Sequence, residues 1–219
     1  MFVDWGILKP VKTKLLKGSG VNLENFKYLE EPKSIPSVCF AARLLKDKGV
    51  YEFISAAKLI NKRDIKARFL LAGDLDVKNP SGLSINDLKK LKQESCIEFL
   101  GYQENIPALF ASSHIVCLPS YREGFPKSLM EAAAASRVVV TTDVPGCRDA
   151  IIPNKTGLLV PVKDYHKLAD VLQWLIQNPK DRIEMGKAGR QLSEKEFSIK
   201  NIVKSHIDIY QELCNNNKN

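Results

Sequence analysis

Short continuous apolar runs alternate along this chain with longer stretches whose apolar residues return every three or four positions. The runs cover residues 37–42, 68–72, 97–100, 115–118, 138–141 and 157–160. A strand that is apolar at consecutive positions buries both of its faces, as in a parallel sheet covered by helices. Between the runs, Val50, Phe53, Ile54, Ala57 and Ile60 repeat at helical spacing after the breaker Gly49. A second helix opens at Ser84, with Asp87 as a loose capping box and Leu88 and Leu91 turned inward. Residues 106–112 predict a short helix with Pro107 in its first turn, and residues 126–136 an alanine-rich one. Leu168, Val171, Leu172 and Leu175 form a further stripe, closed by Asn178-Pro179. From Asp181 the chain reads as helix to its end, with a break near Phe197-Ser198. Such alternation predicts right-handed crossovers and an α/β, Rossmann-like, doubly wound parallel sheet of about six strands with helices on both faces.

The two ends depart from this pattern. Residues 1–36 hold Pro10, Gly18, Gly20, Pro32 and Pro36, which predict a connector with one short strand around 13–16. The polar tail 215–219 is expected to be disordered. A length of 219 residues suits one large domain or two small ones. With 44% apolar and 26% charged residues, the composition excludes a fibrous or intrinsically disordered chain. No apolar run approaches the ~18 residues that span a bilayer, and no basic segment leads into an apolar one at the start, so no secretion signal is expected. Cys39, Cys96, Cys117, Cys147 and Cys214 show no Cys-x-x-Cys pair. That argues against zinc and a disulfide scaffold and fits a reducing cytosol. Cys39 and Cys117 lie in apolar runs and read as small buried residues. His114, His166 and His206 have no metal-ligand spacing. The net charge of +8 favours an anionic partner, whether nucleic acid, lipid or phosphorylated small molecule. Much of it is spread along helix faces, as at Lys89, Lys90 and Lys92, and chooses nothing by itself.

Ligands of an open parallel sheet gather at the carboxyl ends of its strands. After the first run come Arg43 and Lys48, beside a helix start whose free N–H groups also favour an anion. A guanidinium fork and an ammonium aimed at one spot suit a diphosphate, although a solvated loop would look the same. After the second run, Gly73-Asp74 permits a turn or a close ligand approach. After the third, Gly101-Tyr102 and Gln103-Glu104-Asn105 form either the wall of a base pocket or an ordinary turn. The fourth is followed by the informative segment, Glu123-Gly124-Phe125-Pro126-Lys127-Ser128-Leu129-Met130-Glu131. Lys127, Ser128 and Leu129 occupy a first helical turn, whose dipole end attracts phosphate. Acids on either side of that turn would repel phosphate but accept hydrogen bonds from vicinal hydroxyls. Glu131, set among Met130 and alanines, belongs to a packed helix rather than a solvated face and needs partners. The constellation asks for a diphosphate with polyols at both ends, which describes a nucleotide sugar.

These residues, with Phe99-Leu100-Gly101, Ile115-Val116-Cys117-Leu118-Pro119-Ser120 and Gly157-Leu158-Leu159-Val160, resemble the carboxyl-terminal half of retaining glycosyltransferases of family four, which have the GT-B fold. The resemblance runs from about Lys17 to Leu213. It implies that Arg43 and Lys48 hold the donor diphosphate and that Glu123 binds the transferred sugar, the three forming the catalytic set. Gly124, Phe125, Pro126 and Lys127 would line the sugar pocket, Ser128 and Leu129 offer N–H groups to phosphate, Glu131 grip the ribose, and Tyr102 border the base near Gly73. The donor would be a nucleotide-diphosphate sugar, uridine ahead of guanosine, carrying a hexose or acetamido sugar. No cofactor and no essential metal would be needed, because cations and the helix dipole neutralise the leaving group.

A GT-B enzyme has two such domains, and only the second matches here. Residues 1–22 would be a remnant of the first domain and the connector, with Met1 an artificial start. Residues 23–197 would form the donor domain, 198–214 a C-terminal helix and 215–219 the tail. The Gly18-Ser19-Gly20 connector is similar to that of bacterial surface-polysaccharide transferases, which implies a glycan or lipid-carrier-linked acceptor held by the missing domain. A cytoplasmic protein follows, with peripheral association at the inner face of the membrane open for the full-length enzyme. The fragment itself is expected to bind donor weakly and to transfer little. A nicotinamide-binding domain shares the sheet but needs a Gly-x-Gly-x-x-Gly that is missing. A nucleotide-sugar epimerase-like domain and a non-catalytic nucleotide-sugar-binding module remain open. Nucleic acid is not the expected partner, since basic residues are not interleaved with aromatics in a stripe.

Overall fold

The computed structural model describes residues 5–7, 9, 13, 14 and 16–216. Its strands are β1 (Ser37–Ala41), β2 (Arg68–Ala72), β3 (Glu98–Gly101), β4 (Ile115–Leu118), β5 (Val138–Thr142) and β6 (Gly157–Val160). All neighbours pair in parallel, in the order β3-β2-β1-β4-β5-β6. The doubly wound sheet read from the apolar runs is therefore present, with each strand end within one residue of its expected place. Strands β4 and β5 are buried at every position, whereas the edge strand β3 buries none fully.

Local chemistry sets where the helices begin. α1 (Val50–Lys62) follows Gly49, whose φ of 76° is left-handed and whose absent Cβ would lie 2.1 Å from the Pro119 carbonyl oxygen. Ser84 and Asp87 form the expected reciprocal capping box at α2 (Ile85–Leu91). The side chains of Asn105 and Asp164 accept hydrogen bonds at the starts of α3 (Ile106–Ala111) and α5 (Tyr165–Gln177). α4 (Lys127–Ala134) has no side-chain cap. It approaches α6 (Pro179–Leu192) closely because the facing positions are Ala133 and Gly189. A turn of π-helix, Ser193–Phe197, precedes α7 (Ile199–Asn216), which starts after the break foreseen at Ser198. Asn215 and Asn216, expected in a disordered tail, continue α7 by unbroken helical hydrogen bonding, while 217–219 lie outside the described residues. The short strand expected around 13–16 is not seen among the described residues: Thr13, Lys14 and Leu16 lie outside strands and bridges, and Leu15 is not among the residues described.

The connector is held by buried polar groups. Val21 donates to Phe197 O at 2.7 Å and accepts from Ile199 N at 2.9 Å, forming a parallel bridge to Ser198. The buried His114 ring accepts from Ser37 N through Nδ1 and donates to Pro32 O through Nε2, both at 3.0 Å. Arg182 closes on Glu31 at 2.7 Å with both side chains almost fully buried. The guanidinium of Arg137, fully buried, donates to the carbonyls of Phe110, Leu29, Ser136, Glu30 and Ala111. Arg137→Met would retain most of the apolar bulk but leave those carbonyls unsatisfied, at a cost of about 3 kcal/mol. Urea unfolding should show that loss, and Tm should fall by roughly 6–12 °C. A loss under about 1 kcal/mol would mean that water replaces the guanidinium.

Candidate functional site

Strand order reverses between β1 and β4, so the connections leaving their carboxyl ends part and open a crevice of about 560 Å³. Arg43 enters it after β1, Gly73 to Asp76 after β2, and Tyr102 to Glu104 after β3; Phe110, Ser128 and Glu131 reach it from α3 and α4. Gly73 is required where it stands: its φ is 152°, and a Cβ would sit 1.9 Å from Ala42 O. The ends of β1 and β2 can therefore meet along the crevice floor.

Arg43 is largely exposed, and its Nη1 donates to Asp76 Oδ2 at 2.7 Å. The loop carrying Asp76 is tied to the segment after Arg43. Leu44 N donates to Asp74 O at 3.0 Å, Lys46 N to Ser81 O at 2.8 Å, and Leu83 N to Leu44 O at 3.1 Å. Across the crevice, Glu131 is only 13% exposed and lies 3.4 Å from Lys127 Nζ, one helical turn away. Burial raises the Glu131 pKa above the usual carboxylate value, and Lys127 only partly opposes this.

Beside the crevice, Lys48 Nζ lies 2.5 Å from Glu123 Oε1, with side chains 20% and 10% exposed. The loop that carries Glu123 is clamped from two sides. Tyr121 N and Ser120 Oγ both donate to Asp47 O, at 2.8 and 2.9 Å. Gly146, at φ 80°, lies so close that a Cβ would be 2.3 Å from Gly124 O and 2.5 Å from Glu123 O. Tyr121 Oη donates to Glu52 Oε1 at 2.6 Å, and burial followed by that carboxylate raises its pKa.

Nine of the twelve sequence-derived residues thus fall into three groups. Arg43, Gly73, Tyr102, Ser128 and Glu131 surround one crevice. Gly124 and Phe125 line a second hollow, of about 560 Å³, with Lys17, Gly18, Arg148 and Asp149. Lys48 and Glu123 are paired with each other and line neither. Pro126 is buried at the N-cap of α4, Lys127 is exposed, and Leu129 is fully buried with its N–H donating to Pro126 O at 3.2 Å. Sequence reasoning missed Asp76 and Phe110. Asp76 meets Arg43 across 33 positions, a pairing that no local spacing announces. Cys39 and Cys117 are buried as expected, burial pushing the Cys39 thiol up to about 12. Among the described residues, no cluster of three or more His, Cys, Asp or Glu could hold a metal ion, and no helix is long and apolar enough to cross a membrane.

Residues 22–192 match the family of glycosyl transferases group 1. The chain is 31% identical over 222 residues to N,N'-diacetylbacillosaminyl-diphospho-undecaprenol alpha-1,3-N-acetylgalactosaminyltransferase of Campylobacter jejuni, covering 95% of this chain and 57% of that protein. It is 28% identical to the capsular polysaccharide biosynthesis glycosyltransferase CapM of Staphylococcus aureus, over 73% of this chain and 41% of CapM. It therefore spans about half the length of these curated relatives. Among solved structures, sucrose-phosphate synthase from Thermosynechococcus elongatus superposes with a TM-score of 0.83 at 26% identity, over 97% of this chain and 55% of that one.

The buried acid at the crevice gives a test of its own. A folded-state pKa above the unfolded one means that the folded chain binds more protons, so stability falls as pH rises from the ordinary glutamate value through the raised one. Glu131→Gln removes this penalty. Thermal denaturation should place the variant above the unaltered chain at pH 7 and bring the two together near pH 4. The reverse order at pH 7 would show that the Lys127 contact outweighs desolvation.

Proposed function

The chain belongs to the group 1 glycosyl transferases, and we propose that its residues form the donor-binding part of a retaining enzyme of that family. The observation that carries this reading is the gathering of Arg43, Ser128 and Glu131 round one crevice at the point where strand order reverses, with the uncapped first turn of α4 facing it. The base lies toward Tyr102 and Gln103. Glu131 accepts hydrogen bonds from the ribose hydroxyls, and its burial favours a ligand that brings donors. Arg43 and the first turn of α4 take the diphosphate, and Lys48 meets it from beside Glu123.

In the transfer, the bond between the anomeric carbon and the diphosphate oxygen breaks and a bond to the acceptor oxygen forms, the acceptor's proton passing to the departing diphosphate oxygen. Charge building on the diphosphate falls between Arg43, Lys48 and the α4 dipole. These groups make a divalent ion unnecessary in the proposed step. Glu123 orients the sugar, the pair with Lys48 holding its carboxylate near the scissile bond. A uridine diphosphate hexose or acetamido sugar is the proposed donor. Support for an acetamido sugar and a lipid-diphosphate-linked acceptor comes from the activity named for the Campylobacter jejuni relative. Acceptor recognition would lie in the part of the relatives' length that this chain does not span, so this chain alone is proposed to transfer little. The complete enzyme is proposed to act in bacterial glycan synthesis at the cytoplasmic side of the membrane.

Calorimetric titration of the chain with UDP, GDP and their sugars tests the reading. UDP should bind and raise Tm as ligand is added. Glu131→Ala should weaken UDP about tenfold or more, since it deletes hydrogen bonds to a charged group. Glu123→Ala should leave UDP binding little changed while abolishing preference among UDP-sugars. Equal effects of both changes on UDP, or no binding of any nucleoside diphosphate, would overturn the assignment.

A further inference from the structure

Asp76 has no part in the binding scheme above, yet its carboxylate occupies the Arg43 guanidinium at 2.7 Å. Arg43 is 62% exposed and Asp76 27%, so the pair is an open one that an incoming anion can dissolve at small cost. The backbone beneath Asp76, in contrast, is fixed. Asn79 N donates to Asp76 O at 3.0 Å, and Gly82 packs so tightly that a Cβ would stand 2.2 Å from that same oxygen. The bridge from Leu45 to Gly82 and the hydrogen bond from Asp47 N to Ser81 Oγ fasten the loop to the segment that follows Arg43. A diphosphate that reaches Arg43 can therefore turn the Asp76 side chain aside, but it cannot send the carboxylate away. Asp74, Glu104 and Glu131 line the same crevice, so the anion enters an acidic enclosure that has Arg43 as its lining cation.

A carboxylate kept beside a diphosphate weighs most on the more highly charged form. In a nucleotide sugar both phosphates are esterified and carry two negative charges. In the nucleoside diphosphate left after transfer the terminal phosphate can lose a second proton, with a pKa near 6, and the charge at neutral pH approaches three. We infer that Asp76 is a specificity-determining residue that sets donor over product: it competes for Arg43 and disfavours the released nucleoside diphosphate more than the intact nucleotide sugar. This rests on the reading of Arg43 as a diphosphate ligand.

Titration of UDP and UDP-N-acetylgalactosamine into the unaltered chain, Asp76→Asn and Asp76→Glu at pH 8.0 and pH 5.5 tests it. At the higher pH, Asp76→Asn should tighten UDP about two- to fivefold and the nucleotide sugar by less, while Asp76→Glu behaves as the unaltered chain. At the lower pH, where the terminal phosphate of UDP is protonated, the two ligands should shift alike. A merely structural role for Asp76 would not follow the ionisation of the ligand. Weaker binding of both ligands by Asp76→Asn, or equal tightening at the higher pH, overturns the inference while leaving the donor site standing. Failure of the unaltered chain to bind either ligand overturns the donor site and the inference together.

Discussion

Everything at the carboxyl edge of this sheet depends on β1 and β4 being neighbours whose following connections leave in different directions. Parallel pairing forces the chain to rise at the end of each strand, and the reversal of order leaves no element to fill the gap between the two. The crevice is therefore a product of topology before any side chain is chosen. Two of the segments that enter it, those after β1 and β2, could not approach one another if Gly73 carried a Cβ atom, and Gly49 and Gly146 play the same part for the loop that carries Glu123. Close backbone contact at these three positions converts a loose set of loops into a wall.

The charges follow a different logic from the composition. The chain is basic overall, but the crevice is lined by more carboxylates than cations, and its arginine is engaged by one of them. Several other basic residues are spent on structure: Arg137, Arg182 and Arg190 reach backbone carbonyls or a buried acid on the connector. Net charge thus says little about the site. What matters is which charges are placed where water has been excluded. Glu131, raised by burial, and Glu123, sheltered with Lys48, are the two acids so placed beside the strand ends.

The fold was legible because continuous apolar strands and capped, periodic helices are local signals, and burial in the sheet agrees with them. The box of Ser84 and Asp87, the proline in α3 and the break at Ser198 could be read from neighbouring residues alone. The site was legible in its membership but less so in its grouping. That Lys48 would face Glu123 is a contact across 75 positions, set by the seating of one loop over α1, and Asp76 on Arg43 is of the same kind. The division of Gly124 and Phe125 from the crevice depends on the side of α4 to which the loop turns. The packing of the connector was not legible for a related reason: its carbonyls are partners for distant arginines, and nothing in its own composition reveals them.

The bridge between Val21 and Ser198 has a topological consequence. It draws the polypeptide entering the sheet and the polypeptide leaving it to a single point, so the intervening residues make a closed circuit. A load applied to either flank would have to part the bridge's two hydrogen bonds before it reached the strands.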